Sequence, residues 1–245
     1  MSVPTRPAGA LIDIAASCPP VAIDALLDPG GLLVIAPHPD DETLGCGAAL
    51  AAALARGVPV TVALLTAGEG SHPASRRYPP EALRALRRAE FTAALAALSA
   101  AAGGAVPAVL ELDLADTNVA AGIARAVTSL SAIEGVGTIW CTFRHDPHCD
   151  HAAAAAIAGE VAARGRATLF EYAVWGRFGD AGAGLDRSGV RPFGPGRWAP
   201  AKRAAMDCYR SQLTPMIDDD PAGFVMPPAL TEHFATAPEI FLAPR

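Results

Sequence analysis

Four of the six histidines fall in two short clusters that are also rich in carboxylates. PHPDDE at 37–42 holds His38, and FRHDPHCDH at 143–151 holds His145, His148 and His151. Such groups set against apolar runs are expensive to desolvate unless a partner compensates them. A divalent cation is one such partner, and a catalytic zinc takes three His or carboxylate ligands and keeps a position open for water. His38 and Asp41 are three residues apart, a spacing that lets both reach one ion from a turn entering a helix. His151 then supplies the third ligand from the other cluster. Asp40 cannot point the same way as Asp41, which leaves it as a general base for a water whose pKa the ion lowers to roughly 7. His148 is placed to donate a hydrogen bond or a proton to a developing tetrahedral centre, with Asp150 as its orienting partner. Arg144, Asp146 and Arg76 are candidates for substrate contact, and His145 fits a surface position equally well. An acidic helix start would explain the aspartates of PHPDDE, but not a histidine held between two prolines.

These clusters need a scaffold that brings them together across a hundred residues. Short β-rich runs lie at 32–36, 60–66, 109–113, 138–143 and 168–175. Ala-rich stretches of helical character separate them, at 43–56, 81–102, 117–132 and 151–164. This alternation predicts βαβ units and a mainly parallel sheet with helices on both faces, a Rossmann-like α/β fold. The strands read as continuous apolar runs, as doubly covered parallel strands should. Each histidine cluster follows a strand and precedes a helix, so each sits at the carboxyl edge, where ligands bind in such folds. With strand order 3-2-1-4-5, the loops after the first and fourth strands flank the switch point and face each other. Residues 1–245 read as a single domain, with 1–30 as a lead-in segment holding a short helix near 20–27. Residues 176–199, rich in Gly, Arg and Pro, read as a loop excursion. A last helix at 200–212 and an end piece at 239–243 close the chain. Specificity would come from the loops at 68–80, 113–118 and 176–199.

Composition narrows the function classes. Half of the 245 residues are hydrophobic, enough for a sizeable core. No apolar run is long enough to span a bilayer, and a net charge of −6 gives no nucleic-acid footprint. The expectation is therefore a cytoplasmic protein with a small-molecule substrate, no nucleic acid and no membrane; oligomeric state is silent. Five scattered cysteines with no C-x-x-C pair argue against a disulfide framework and a cysteine-rich zinc site. GCGAAL at 45–50 has the look of a dinucleotide fingerprint, but its glycines fall inside the helix and read as small residues for close packing. Glu90 with Arg87 or Arg88 reads as a structural ion pair.

A-P-H-P-D-D-E after an apolar strand, with H-C-D-H later, resembles the PIG-L (LmbE-like) family of zinc-dependent N-deacetylases. RRAEF at 87–91 and YRSQL at 209–213 resemble further stretches of that family. The resemblance implies a Rossmann-like fold and removal of an acetyl group from an N-acetylated amino sugar or glycoconjugate, such as an N-acetylglucosamine derivative. It implies metal ligands at His38, Asp41 and His151, a base at Asp40, and His148 assisted by Asp150. Two departures stand out: Pro37 precedes His38, and Cys149 replaces the usual proline of the second motif. The expected cofactor is Zn2+, although His and Asp ligands also suit another divalent ion such as Fe2+. Two rival readings are an amidase acting on a larger acyl-amide such as a thiol-sugar conjugate, and a non-catalytic sugar- or nucleotide-binding module with a vestigial metal.

Overall fold

The computed structural model describes residues 4–243. Seven strands form one sheet in the order β3-β2-β1-β4-β5-β7-β6. The first five are β1 (Gly31–Ala36), β2 (Val60–Leu64), β3 (Ala108–Glu111), β4 (Val136–Thr142) and β5 (Thr168–Tyr172), all paired in parallel. β6 (Val190–Phe193) and β7 (Glu239–Leu242) complete the sheet with antiparallel pairings. β1 lies between β2 and β4, so the switch point falls where the sequence pattern puts it.

Successive side chains of a strand point to opposite faces, and β1 shows why its whole run is apolar. Leu32, Val34 and Ala36 join the core under α2 (Asp41–Ala55), α3 (Pro80–Ala102), α6 (Ala199–Met206) and α8 (Pro228–Thr236). Leu33 and Ile35 join the opposite core, under α4 (Ile123–Ser131) and α5 (Cys149–Gly165). The sheet is thus covered on both sides.

Several expectations are refined. The 117–132 helix begins as a single 3-10 turn, Val119–Gly122, before α4. The 200–212 helix breaks after Met206 and resumes as α7 (Arg210–Leu213). The 176–199 segment is not all loop, because Val190–Phe193 forms the edge strand β6. Pro192 within it suits an edge, where a missing N–H costs no ladder bond. The lead-in segment carries α1 (Ala10–Ala16) and a 3-10 turn, Ile23–Leu26.

One local feature of α2 bears on the site. The helix is broken at Cys46, whose φ of −144° and ψ of 20° are not helical. Leu44 C=O and Ala48 N–H are partners in a regular α-helix. Here the Leu44 carbonyl accepts from Lys202 Nζ at 2.8 Å, and the Ala48 and Ala49 N–H groups donate to Glu239 at 2.7 and 2.8 Å. Side chains inserted into the ladder are a recognised cause of a kink. Gly45 sits against β5: a Cβ there would lie 2.2 Å from the Tyr172 ring. Its place is set by close packing on the sheet, as the sequence suggests.

Candidate metal centre

The β1–α2 loop and the β4–α5 loop meet at the carboxyl edge, and Asp41 is the hub of the contact. Its Oδ2 accepts from His38 N–H at 3.0 Å and lies 3.1 Å from His38 Nδ1. The same oxygen lies 3.2 Å from His151 Nε2. Each histidine turns its other ring nitrogen to a further carboxylate. His38 Nε2 is 3.1 Å from Asp150 and 3.2 Å from Asp116, and His151 Nδ1 is 3.3 Å from Asp146. A carboxylate behind a ligating imidazole fixes its tautomer and raises its basicity, the arrangement common around protein-bound metals.

The donor set fits a cation on a second count. His151 is fully buried, yet neither ring nitrogen makes a properly aligned hydrogen bond. Buried polar atoms are rarely left so. Burial opposes charge on His151, but Asp41 and Asp146 outweigh it and push its pKa up to about 10. Burial likewise opposes charge on His38, and hydrogen bonds to Asp116, Asp150 and Asp41 carry its pKa well above the usual value. Asp41 is driven the other way: despite burial, His151 and His38 hold it well below the normal carboxylate range. The cluster is built to hold positive charge.

His148 offers a nitrogen close to those of His38 and His151, the three lying within 4.8 Å of one another. Its hydrogen bonding separates it from the other two. As the N-cap of α5, His148 accepts the Asp150 N–H through Nδ1 at 3.2 Å. A neutral imidazole that accepts at Nδ1 carries its proton on Nε2. Burial and the neighbouring His38 and His151 lower its pKa to about 4, so it is neutral at physiological pH. His148 therefore presents an N–H donor rather than a lone pair. Asp150 accepts from Thr117 N–H at 2.7 Å and Val119 N–H at 3.0 Å, which anchors the start of α5 to the β3–α4 loop.

Asp40 occupies a conformation that L residues rarely adopt, with φ 125°. Such strain costs about 1–3 kcal/mol and persists where the surroundings enforce it. Arg87 does so here. Its guanidinium donates to Asp40 Oδ2 at 3.1 Å, Pro39 O at 2.7 Å and Gly68 O at 2.8 Å. Glu42 accepts the Asp40 N–H at 3.2 Å and is itself held by Tyr209 Oη at 2.5 Å. Burial raises the Asp40 pKa to about 8, against the pull of Arg87. Asp40, Asp41, His38, His148, Asp116 and Arg87 all border one cleft of about 470 Å³.

The structure brings His38, Asp40, Asp41, His148, Asp150 and His151 into one site, but the Asp150 carboxylate meets His38 rather than His148; Asp150 holds His148 only through its backbone N–H. It does not bring the three substrate-contact candidates there. Arg144 pairs with Glu171 at 2.6 Å beside a separate depression. Arg76 lies on the surface, its N–H donating to Asp219 at 2.8 Å. Asp146 is buried behind His151 and accepts the Gly176 N–H at 2.8 Å. Arg87 is a second correction: it pairs with Asp40, while Glu90 binds Ser211 at 2.8 and 2.6 Å. Asp116 is a residue the motifs did not reveal; its signal is its place in the loop after β3, at the same edge.

Residues 33–162 match the family described as PIG-L, GlcNAc-PI de-N-acetylase. The chain belongs to the PIG-L family. Over 40 residues this PIG-L protein is 58% identical to a 1D-myo-inositol 2-acetamido-2-deoxy-alpha-D-glucopyranoside deacetylase of Nocardia farcinica (strain IFM 10152). That match spans 16% of this chain and only 13% of the relative. Among solved structures, N,N'-diacetylchitobiose deacetylase from Pyrococcus horikoshii gives a TM-score of 0.61 at 18% identity, covering 78% of this chain and 73% of that one. A conserved protein from Thermus thermophilus gives 0.59 at 22% identity, covering 88% and 95%. GalB, the 4-carboxy-2-hydroxymuconate hydratase from Pseudomonas putida KT2440, gives 0.60 at 17% identity, covering 84% and 82%. At these identities the likeness is one of fold alone, a mostly parallel α/β sheet.

Proposed function

We propose that this PIG-L protein is a zinc-dependent N-deacetylase that removes the acetyl group of an N-acetylated amino sugar or its conjugate. The observation that carries this reading is the separation of Asp41 from Asp40. One carboxylate is clamped between two histidines, and the next is turned into the cleft by Arg87. His38, Asp41 and His151 would hold the ion; a two-histidine, one-carboxylate set with an open position suits zinc. The ion supplies Lewis acidity for the amide carbonyl and lowers the pKa of water.

The remaining steps belong to the chain. The Asp40 carboxylate takes the proton of the attacking water, and burial, which raises its pKa, strengthens it as a base. The His148 Nε2–H donates to the oxygen on which negative charge develops, and it does so as a neutral, pre-oriented donor. Asp40, once protonated, returns a proton to the departing amine. Arg87 keeps Asp40 aimed into the cleft throughout. All five cysteines are free, which supports work in the reducing cytoplasm.

The test is acetate release from N-acetylglucosamine derivatives together with metal analysis of the protein. Asp40→Asn should keep its metal and lose turnover by at least about a hundredfold. Near-wild-type activity in that variant would remove Asp40 as the base. Hydration of an unsaturated acid with no acetate release would replace deacetylation by a lyase reaction on the same fold.

A further inference from the structure

The cleft has two unlike walls. One is the candidate metal centre, with Asp40, Asp41 and Asp116 facing the space. The other is apolar and made of Pro73, Trp175, Phe224 and Val225. Val225 is 37% exposed, one of only three exposed large hydrophobic residues among those described. Scattered exposed apolar residues need no explanation. One that continues an aromatic wall into a polar site does.

This wall is held in place by a clasp between two loops. Phe224 N–H donates to Ser71 O at 2.8 Å, and Met226 N–H to Gln212 O at 2.8 Å. Asp220 accepts from Ala74 N–H at 2.8 Å, and Asp219 from Ser75 Oγ at 2.7 Å. Gly223 passes so close to buried His72 that a Cβ would lie 2.1 Å from its ring. Behind the surface, Trp175 meets Phe224 edge-on with ring centres 5.7 Å apart, and Phe234 at 6.3 Å. The apolar surface is therefore already formed and tied down by these contacts, which lowers the entropy lost on binding.

Charge selects among possible occupants. Of the Lys and Arg residues, Arg87 alone lines the cleft, and its hydrogen bonds already go to Asp40, Pro39 O and Gly68 O. Arg77 is paired with Asp218, and Arg84 with Glu69. Apart from Arg87, which is bound on the metal-centre side, no arginine or lysine among the described residues lines the cleft, so the apolar wall offers no cation to a phosphate or carboxylate of the aglycone. A volume of about 470 Å³ lies in the range of about 300–1,000 Å³ usual for drug-sized ligands, so there is room beyond a single acetamido sugar.

We infer that the substrate is an uncharged N-acetylated amino-sugar glycoside with an apolar aglycone, the aglycone lying on Trp175, Phe224 and Val225. This rests on the deacetylase reading and narrows it to substrates whose aglycone offers apolar surface, not charge, to that wall.

The experiment compares kcat/KM of the zinc-loaded protein on four 2-acetamido-2-deoxyglucosides: the 4-nitrophenyl, methyl and inositol glycosides, and the 1-phosphate. The aryl glycoside should exceed the methyl and inositol glycosides by at least about tenfold, the effect of a modest apolar group in a matching pocket. The 1-phosphate should be the slowest. Val225→Ser, a surface change that leaves the packing behind it untouched, and Phe224→Ala should each lower the aryl-to-methyl ratio, acting mainly through KM. Equal rates on aryl and methyl glycosides, or a preference for the phosphate, would overturn the apolar-aglycone assignment while leaving deacetylation intact. An absence of acetate from all four, with metal bound, would overturn the deacetylase reading and this inference with it.

Discussion

Lys202 and Glu239 meet at 2.7 Å inside the break of α2, both fully buried, and between them satisfy three of the backbone groups that the break frees. The break separates the first turn of α2, which carries Asp41, from the rest of the helix. Removing one partner leaves a buried charge uncompensated, which costs about 3–5 kcal/mol. Lys202→Met should therefore destabilise by that amount in urea unfolding. Glu239→Gln keeps an acceptor for one of the two N–H groups and should cost less. The double variant should lose less than the sum of the single losses.

Gly45→Ala tests the fit of the same turn on the sheet. The new Cβ would press on the Tyr172 ring, whose hydroxyl is tied to Ile35 O at 2.9 Å and cannot easily yield. Overpacking of this kind costs about 1–3 kcal/mol. Thermal unfolding of the metal-free variant should show the loss.

Arg87 lowers the pKa of Asp40, while burial raises it. Arg87→Met removes the lowering contribution and the aim. With Asp40 as the proposed base, activity requires its deprotonated form, so the acid limb of the kcat/KM profile should move to higher pH. At neutral pH the variant should lose at least about tenfold in kcat/KM, and part of that loss should be recovered in alkaline buffer.

The metal-free protein should show a distinct pH dependence. His151 has a folded pKa of about 10 against 6.5 when unfolded, so its contribution to stability is fully present below pH 6.5. It is lost progressively as pH rises through about 10. Melting of the metal-free protein should therefore fall across that window. A bound cation takes the proton's place, so the zinc-loaded protein should fall less. Zinc titrations in buffers of different ionisation enthalpy should also show proton release on binding.

Much of this architecture was legible in the sequence because its signals are local. The continuous apolar run of β1, the Ala-rich α5 and the strand–helix alternation fix the sheet, and the sheet order then places PHPDDE opposite HCDH. The signals that stayed hidden are those set by tertiary contact. Nothing local to Arg87 distinguishes a partner for Asp40 from a partner for Glu90 three residues along the same helix. Nothing local to Lys202 shows that it closes a break in a helix far earlier in the chain. The edge strand β6 carries a proline and surrounding glycines, which locally read as loop.

Asp146 illustrates the same point and supplies a last prediction. Its place in FRHDPHCDH suggests a sugar contact, but the fold turns it inward, where one oxygen faces His151 Nδ1 at 3.3 Å and the other accepts the Gly176 N–H. Its work is then to orient the imidazole that would hold the ion and to keep it basic. Asp146→Asn retains an acceptor for Gly176 and should leave the fold intact, but it removes the negative charge behind His151. Loss of such a partner lowers metal affinity about 10–100-fold. A chelator competition should show zinc bound that much more weakly, with full occupancy and near-normal turnover restored at high zinc. Unchanged affinity would mean that Asp146 serves the loop and not the ligand.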